Sequence, residues 1–220
     1  MGGGFLVDLV MVLVPMIMAL SVHEYFHAQA AYWLGDRTAM NAGRLTLNPA
    51  AHVDPFGTLI LPALAVISGS SFFFGWAKPV PVNPVRFSRR VTMRTGMMLT
   101  AAAGPLSNLV FGFLCVVVLR LLVSAQVETE AVYLLVTRLI GINFVLAFFN
   151  MIPLPPLDGG KVLAGFAPAR VQGWLDYLEA NPLVSLVVFM ALMGTGVLSR
   201  IIGPPASLLI EGSLRLVGLS

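Results

Sequence analysis

Residues 5–34 read FLVDLVMVLVPMIMALSVHEYFHAQAAYWL, and this stretch decides the class of the protein. It is almost wholly apolar up to Val22. It then carries His23, Glu24 and His27 within five positions and returns to small and apolar residues before the Gly35-Asp36 stop. A helix needs about 20 apolar residues to cross the hydrocarbon core, so this one spans with a tilt or projects from one face. The composition agrees. Of the 220 residues, 58% are hydrophobic and only 10% charged, with a mean hydropathy of +0.90, whereas a soluble domain carries about 25% charged residues. Too few polar side chains exist to cover a water-facing globule. The sequence therefore predicts an all-α polytopic membrane protein.

Outward from that helix, the pattern predicts one membrane-embedded domain over 1–220. Thr38–Leu47 contains Arg44-Leu45-Thr46-Leu47, polar and apolar in alternation between Gly43 and Asn48-Pro49. It reads as a short membrane-associated strand or β-hairpin, whose free edge would hold an extended substrate. Residues 56–74 are apolar but interrupted by Pro62 and Ser68-Gly69-Ser70-Ser71, so they cross or re-enter. A proline-rich basic connector follows to residue 92. Clear spans are expected over 93–123 and from 131 to 152, the latter running into a Gly/Pro-rich break that ends at Gly160. Val171, Trp174, Leu175 and Leu178 at helical spacing predict an interfacial helix over 168–180. A last span is expected over 183–202, broken by Pro204-Pro205 and followed by a terminal amphipathic helix.

Charge placement suggests sidedness. Arg37, Arg44, Lys78, Arg86, Arg89, Arg90 and Arg94 lie between the first two clear spans, while the 124–130 connector carries Glu128 and Glu130. With 56–74 re-entrant, residues 35–92 and 153–182 are cytoplasmic. The first stretch has no basic flank before it and reads as a retained helix, not a cleaved leader. The basic residues are few and not interleaved with aromatics, so no nucleic-acid partner is expected. Cys115 is the sole cysteine, which excludes a disulfide framework.

The chemistry concentrates in His23-Glu24-x-x-His27. Histidines at i and i+4 leave a helix on one face, within reach of one zinc ion at about 2.0–2.1 Å. Glu24 between them is placed to take a proton from water. Ionisable groups inside a spanning helix are costly and point to function. A catalytic zinc takes three protein ligands and keeps one open position. His52 and Asp158 are the candidates for the third ligand, Asp8 lying too far along the helix. Asp158 suits better, at a helix break, with an N-cap for the following segment as its alternative role. His52 reads as a loop histidine bonded to Asp54 or backbone.

HEYFHA at His23–Ala28, AAGPLSN at Ala102–Asn108 and NMIPLPPLDGG at Asn150–Gly160 together resemble the site-2 protease family of intramembrane metalloproteases, in its compact bacterial branch without PDZ or CBS domains. Met151 stands where that family often has proline. The resemblance implies a three-helix catalytic core, one zinc ion per chain held by His23, His27 and Asp158, and Glu24 as the base. It also implies Asn150, and less directly Asn108, as amides that orient substrate or hold the oxyanion. Its implied partners are a membrane-spanning protein substrate and the bilayer. The alternatives are a non-proteolytic metal-binding membrane protein or helix chaperone, and a metal transporter. A complete Glu24 argues against the first, and clustering of the polar groups at one depth argues against the second.

Overall fold

The computed structural model describes residues 2–69, 75–127 and 129–218. In chain order the helices are α1 (Gly2–Trp33), α2 (Thr38–Asn41), α3 (Leu61–Ile67), α4 (Met93–Ser124), α5 (Glu130–Asn150), α6 (Asp158–Ala164), α7 (Ala169–Ala180), α8 (Pro182–Gly194) and α9 (Val197–Leu216). Helices α1, α4 and α5 are long and apolar enough to cross a membrane. At about 1.5 Å per residue each exceeds the hydrocarbon thickness of roughly 30 Å.

Helix α4 packs along both α1 and α5. Cys115, Val116 and Leu119 of α4 meet Val136, Leu139, Ile140 and Phe144 of α5, and Leu209, Ile210 and Leu214 of α9 close over them. Glycine allows the approach: a Cβ on Gly112 would lie 2.5 Å from the Phe144 ring. On the opposite side of α4, Val110, Leu114, Val117 and Leu121 stand exposed. A continuous apolar stripe of this kind belongs against lipid, not water.

The strand or hairpin expected at 38–47 is absent, and no strand occurs among the described residues. Thr38–Asn41 is one helical turn instead. Asp36 starts it, its Oδ1 accepting from Thr38 N at 2.9 Å and from Thr38 Oγ1 at 2.5 Å, and Gly43, at φ +68°, ends it. The backbone beyond is held by side chains in place of a ladder: His52 Nε2 lies 2.8 Å from the Thr46 carbonyl oxygen, and Arg44 reaches the Lys78 and Pro79 carbonyls. Alternation here records anchoring points, not the two faces of a sheet.

The 56–74 segment begins as a π-helical turn, Pro55–Ile60, capped by Asp54 Oδ1, which accepts from Phe56 N and Gly57 N at 3.0 and 2.7 Å. It continues as α3, and its end, Ser70–Phe74, lies outside the described residues, as does Glu128. The chain comes back to where it left: Trp76 N donates to Gly57 O at 3.3 Å, and Thr58 Oγ1 donates to Trp76 O at 2.7 Å.

The single span expected at 183–202 is two helices. Gly196, left-handed at φ +70°, stops α8, and α9 starts at the next residue. Nor do Pro204 and Pro205 break the chain; both lie inside α9. Apolar helices tolerate proline because neighbouring groups re-satisfy the freed carbonyls. Helix α7 turns into α8 through 102°, with Leu175 and Leu178 buried and Trp174 and Tyr177 exposed.

Candidate metal centre

His23 and His27 stand about one turn apart on α1, so both rings leave the same face. That face meets α4 at Gly104, where a Cβ would lie 2.5 Å from His27 Nε2 and 2.7 Å from His23 Cε1. The missing side chain of Gly104 thus leaves the space that the rings fill.

Each ring has its Nδ1 fixed by an oxygen of α4. His23 Nδ1 lies 2.7 Å from Asn108 Oδ1, and His27 Nδ1 lies 2.7 Å from the Thr100 carbonyl oxygen. The Asn108 amide is oriented by its other bonds: its Nδ2 donates to Ala19 O at 3.0 Å and to Asn143 Oδ1 at 2.8 Å. Asn143 in turn donates to Leu139 O at 2.8 Å. A carbonyl oxygen only accepts, so both Nδ1 atoms carry hydrogen and both Nε2 atoms keep a lone pair.

Those lone pairs converge. The Nε2 atoms are 2.9 Å apart, and Asp158 Oδ2 lies 3.0 Å from that of His23 and 3.2 Å from that of His27. Asp158 Oδ2 is buried with no hydrogen-bond donor. Three buried electron-pair donors facing one point repel each other unless a cation lies between them. Two imidazoles tied back through Nδ1, plus one carboxylate, are a set of donors that suits zinc with one position left open. The residues present fit that ion.

Asp158 arrives from the other end of the sequence as the first residue of α6. Gly159 and Gly160 put it there. A Cβ on Gly159 would collide with the Met151 and Ile152 backbone, and one on Gly160 would lie 2.8 Å from Pro155 N. The LDGG run therefore folds tightly against the end of α5. Arg94 of α4 holds the far end of α6, its Nε donating to Ala164 O at 2.6 Å.

Glu24 is buried, and its Oε2 accepts from Val80 N at 3.0 Å. Ligand atoms of His23, Glu24 and His27 lie within 4.8 Å of one another. Glu24 borders a cavity of about 810 Å³, and Asn150, at the end of α5, borders the same cavity. Asn150 Nδ2 donates to Leu146 O at 3.1 Å. Asn108, in contrast, is wholly buried and engaged on both sides of its amide. His52 stands apart, on the Thr46 carbonyl. Sequence reading assigned no role to Asn143 or Thr100. An asparagine in an apolar run is a visible signal for the first, whereas a backbone carbonyl leaves none for the second.

Comparison with known proteins finds a family model that matches part of the chain and relatives that cover most of it. The model of Peptidase family M50 matches residues 122–195, which contain Asp158 but not His23–His27. "Putative zinc metalloprotease YwhC" of Bacillus subtilis is 37% identical over 191 residues, covering 84% of this chain and 82% of that protein. Two relatives described in the same terms, both named Rip2, are each 30% identical. The one from Mycolicibacterium smegmatis aligns over 76% of this chain and 64% of its own length. The one from Mycobacterium tuberculosis aligns over 83% and 67%. No solved structure matches. Similarity that runs through nearly the full length of both this chain and the Bacillus protein shows that the chain belongs to peptidase family M50, the site-2 protease family of membrane metalloproteases.

Proposed function

We propose that this chain is a zinc metalloendopeptidase of the His-Glu-x-x-His type that hydrolyses peptide bonds of membrane-spanning proteins, with His23, His27 and Asp158 holding one zinc ion and Glu24 as general base. The observation that carries this reading is the meeting of three buried electron-pair donors from α1 and α6 at 2.9–3.2 Å. When bound, zinc supplies Lewis acidity towards water and the scissile carbonyl. Asn108 and Thr100 keep the imidazoles turned to one point, which makes Asn108 a positioning residue for His23. Glu24 takes the proton of the attacking water and passes it to the leaving nitrogen. Asn150 offers a neutral amide hydrogen to the oxyanion as charge develops there. The apolar wall formed by Trp76, Ala77, Leu146, Phe149 and Phe189 suits an unwound stretch of substrate, and Lys161, Asp176 and Glu179 line a route for water.

Metal removal tests the reading. Protein purified in detergent with one zinc per chain should lose cleavage of a reconstituted membrane-protein substrate on dialysis against a chelator. Stoichiometric zinc should restore it. Activity that persists at less than a tenth of a zinc per chain would sink the proposal.

The whole 1–220 stretch, in this reading, works as one membrane-embedded unit, and 56–74 enters and leaves by the cytoplasmic face. The contacts between Trp76 and Gly57–Thr58 support a return to the same side. The cations at Lys78, Arg86, Arg89, Arg90 and Arg94 support that side being the cytoplasm. Single cysteines at positions 161 and 176, in a Cys115→Ser background, should react with a membrane-impermeant thiol reagent only in inside-out vesicles. Reaction confined to right-side-out vesicles would reverse the orientation.

A further inference from the structure

Arg44 is a buried cation, 6% exposed, and no carboxylate pairs with it among the described residues. Its Nη2 donates to the carbonyl oxygens of Lys78 and Pro79, the latter at 3.2 Å. The Pro79 carbonyl belongs to the same peptide unit as the Val80 N–H, and that N–H donates to Glu24 Oε2 at 3.0 Å. A trans peptide is planar, and its C=O and N–H point in opposite directions. One peptide group is thus held between a guanidinium on its oxygen and a carboxylate on its hydrogen. Both bonds are charge-assisted, and each polarises the group in the sense that strengthens the other.

The two ends of this arrangement are themselves anchored. Arg44 N donates to Ala39 O at 2.9 Å, behind the left-handed turn at Gly43. The extended segment is tied on either side of the shared peptide, by Lys78 N on His52 O at 2.8 Å and by Asn83 N on Asp36 Oδ2 at 2.6 Å. Prolines at 79, 81 and 84 stiffen it and remove competing donors.

We infer that Arg44 is a positioning residue for the reaction: it fixes the Pro79–Val80 peptide, whose N–H holds the Glu24 carboxylate in its working orientation beside the imidazoles. The inference rests on Glu24 being the base, as proposed above. It accounts for a buried arginine that touches neither the cavity nor the imidazoles, and for a proline-rich connector that passes over the site.

Hydrogen exchange and steady-state kinetics on the zinc-loaded protein test it. A peptide spanning 77–85 has few exchangeable amides, because residues 79, 81 and 84 are proline, so Val80 is readily read. Arg44→Met should speed exchange at Val80, lower kcat about 10–100-fold as expected for a misplaced catalytic group, and leave KM and zinc content unchanged. Arg44→Lys should recover most of the loss. Wild-type kcat in Arg44→Met, or unchanged exchange at Val80, would overturn the inference. If Arg44→Met fails to fold, Val80→Pro decides. It removes the N–H and leaves Arg44 in place, so it should show the same loss of kcat, and full activity would refute the role. Retained cleavage by Glu24→Gln would remove the base assignment while leaving the exchange result standing, so the two failures are distinguishable.

Discussion

Glu24→Gln should bind one zinc per chain, as the wild type does, and cleave membrane-protein substrate at least about 10²–10⁴ times more slowly, the usual contribution of a general base. The substitution keeps the length of the side chain and one carbonyl oxygen. The new amide oxygen therefore still accepts from Val80 N, and the contact of 3.0 Å that fixes the segment survives. What the side chain loses is proton affinity. The metal donors are untouched, because they belong to His23, His27 and Asp158. The prediction has two readouts that must separate: zinc by elemental analysis stays near one, and the cleavage rate collapses. Loss of zinc together with activity would mean that Glu24 is a ligand or a structural support and not the base. Full activity with full zinc would place the base elsewhere. Comparing membrane proteomes of cells with wild type and Glu24→Gln would also reveal the substrates, as full-length species that accumulate with the variant.

Much of this could be read from the sequence, and the misreadings have physical causes. Helices α1, α4 and α5 were legible because each is a long apolar run, and a bilayer demands that length. Spacing put His23 and His27 on one face without any tertiary information. Convergence with Asp158, more than 130 positions along the chain, is a property of packing, which the sequence hinted at only through the helix break that carries Asp158 and through the family resemblance. Periodicity fails where the solvent is lipid: both faces of α1 and α5 are apolar, so the pattern does not say which side meets protein. It misled at Arg44-Leu45-Thr46-Leu47, where an alternating pattern belongs to an arginine buried on two carbonyls and a threonine carbonyl beneath His52. The break at Gly196 was missed because a left-handed residue costs little at glycine and shows only in the backbone. The prolines at 204 and 205 were read by the rules of water, where a helix interior seldom admits them.

Asp158 had two readings in the sequence, metal ligand or helix cap, and one substitution separates them. The residue stands at the first position of α6, one past the cap residue Leu157, and its Oδ2 faces the two Nε2 atoms at 3.0 and 3.2 Å. Asparagine is nearly the same shape, caps helices as well as aspartate does, and cannot supply an anionic oxygen. If the carboxylate is a cap, Asp158→Asn costs little in stability and leaves zinc in place. If it is a ligand, Asp158→Asn should lower zinc affinity by more than the roughly 10–100-fold typical of losing an outer-shell partner, with activity falling in parallel. Chelator competition measures the affinity, and thermal unfolding in detergent measures the cap. The helix terminus favours a negative charge at this position as well, so a small loss of stability is expected on either reading. Only the metal affinity discriminates. An Asp158→Asn protein that keeps wild-type zinc affinity would leave His23 and His27 without their third partner, and the proposed coordination sphere would fall with it.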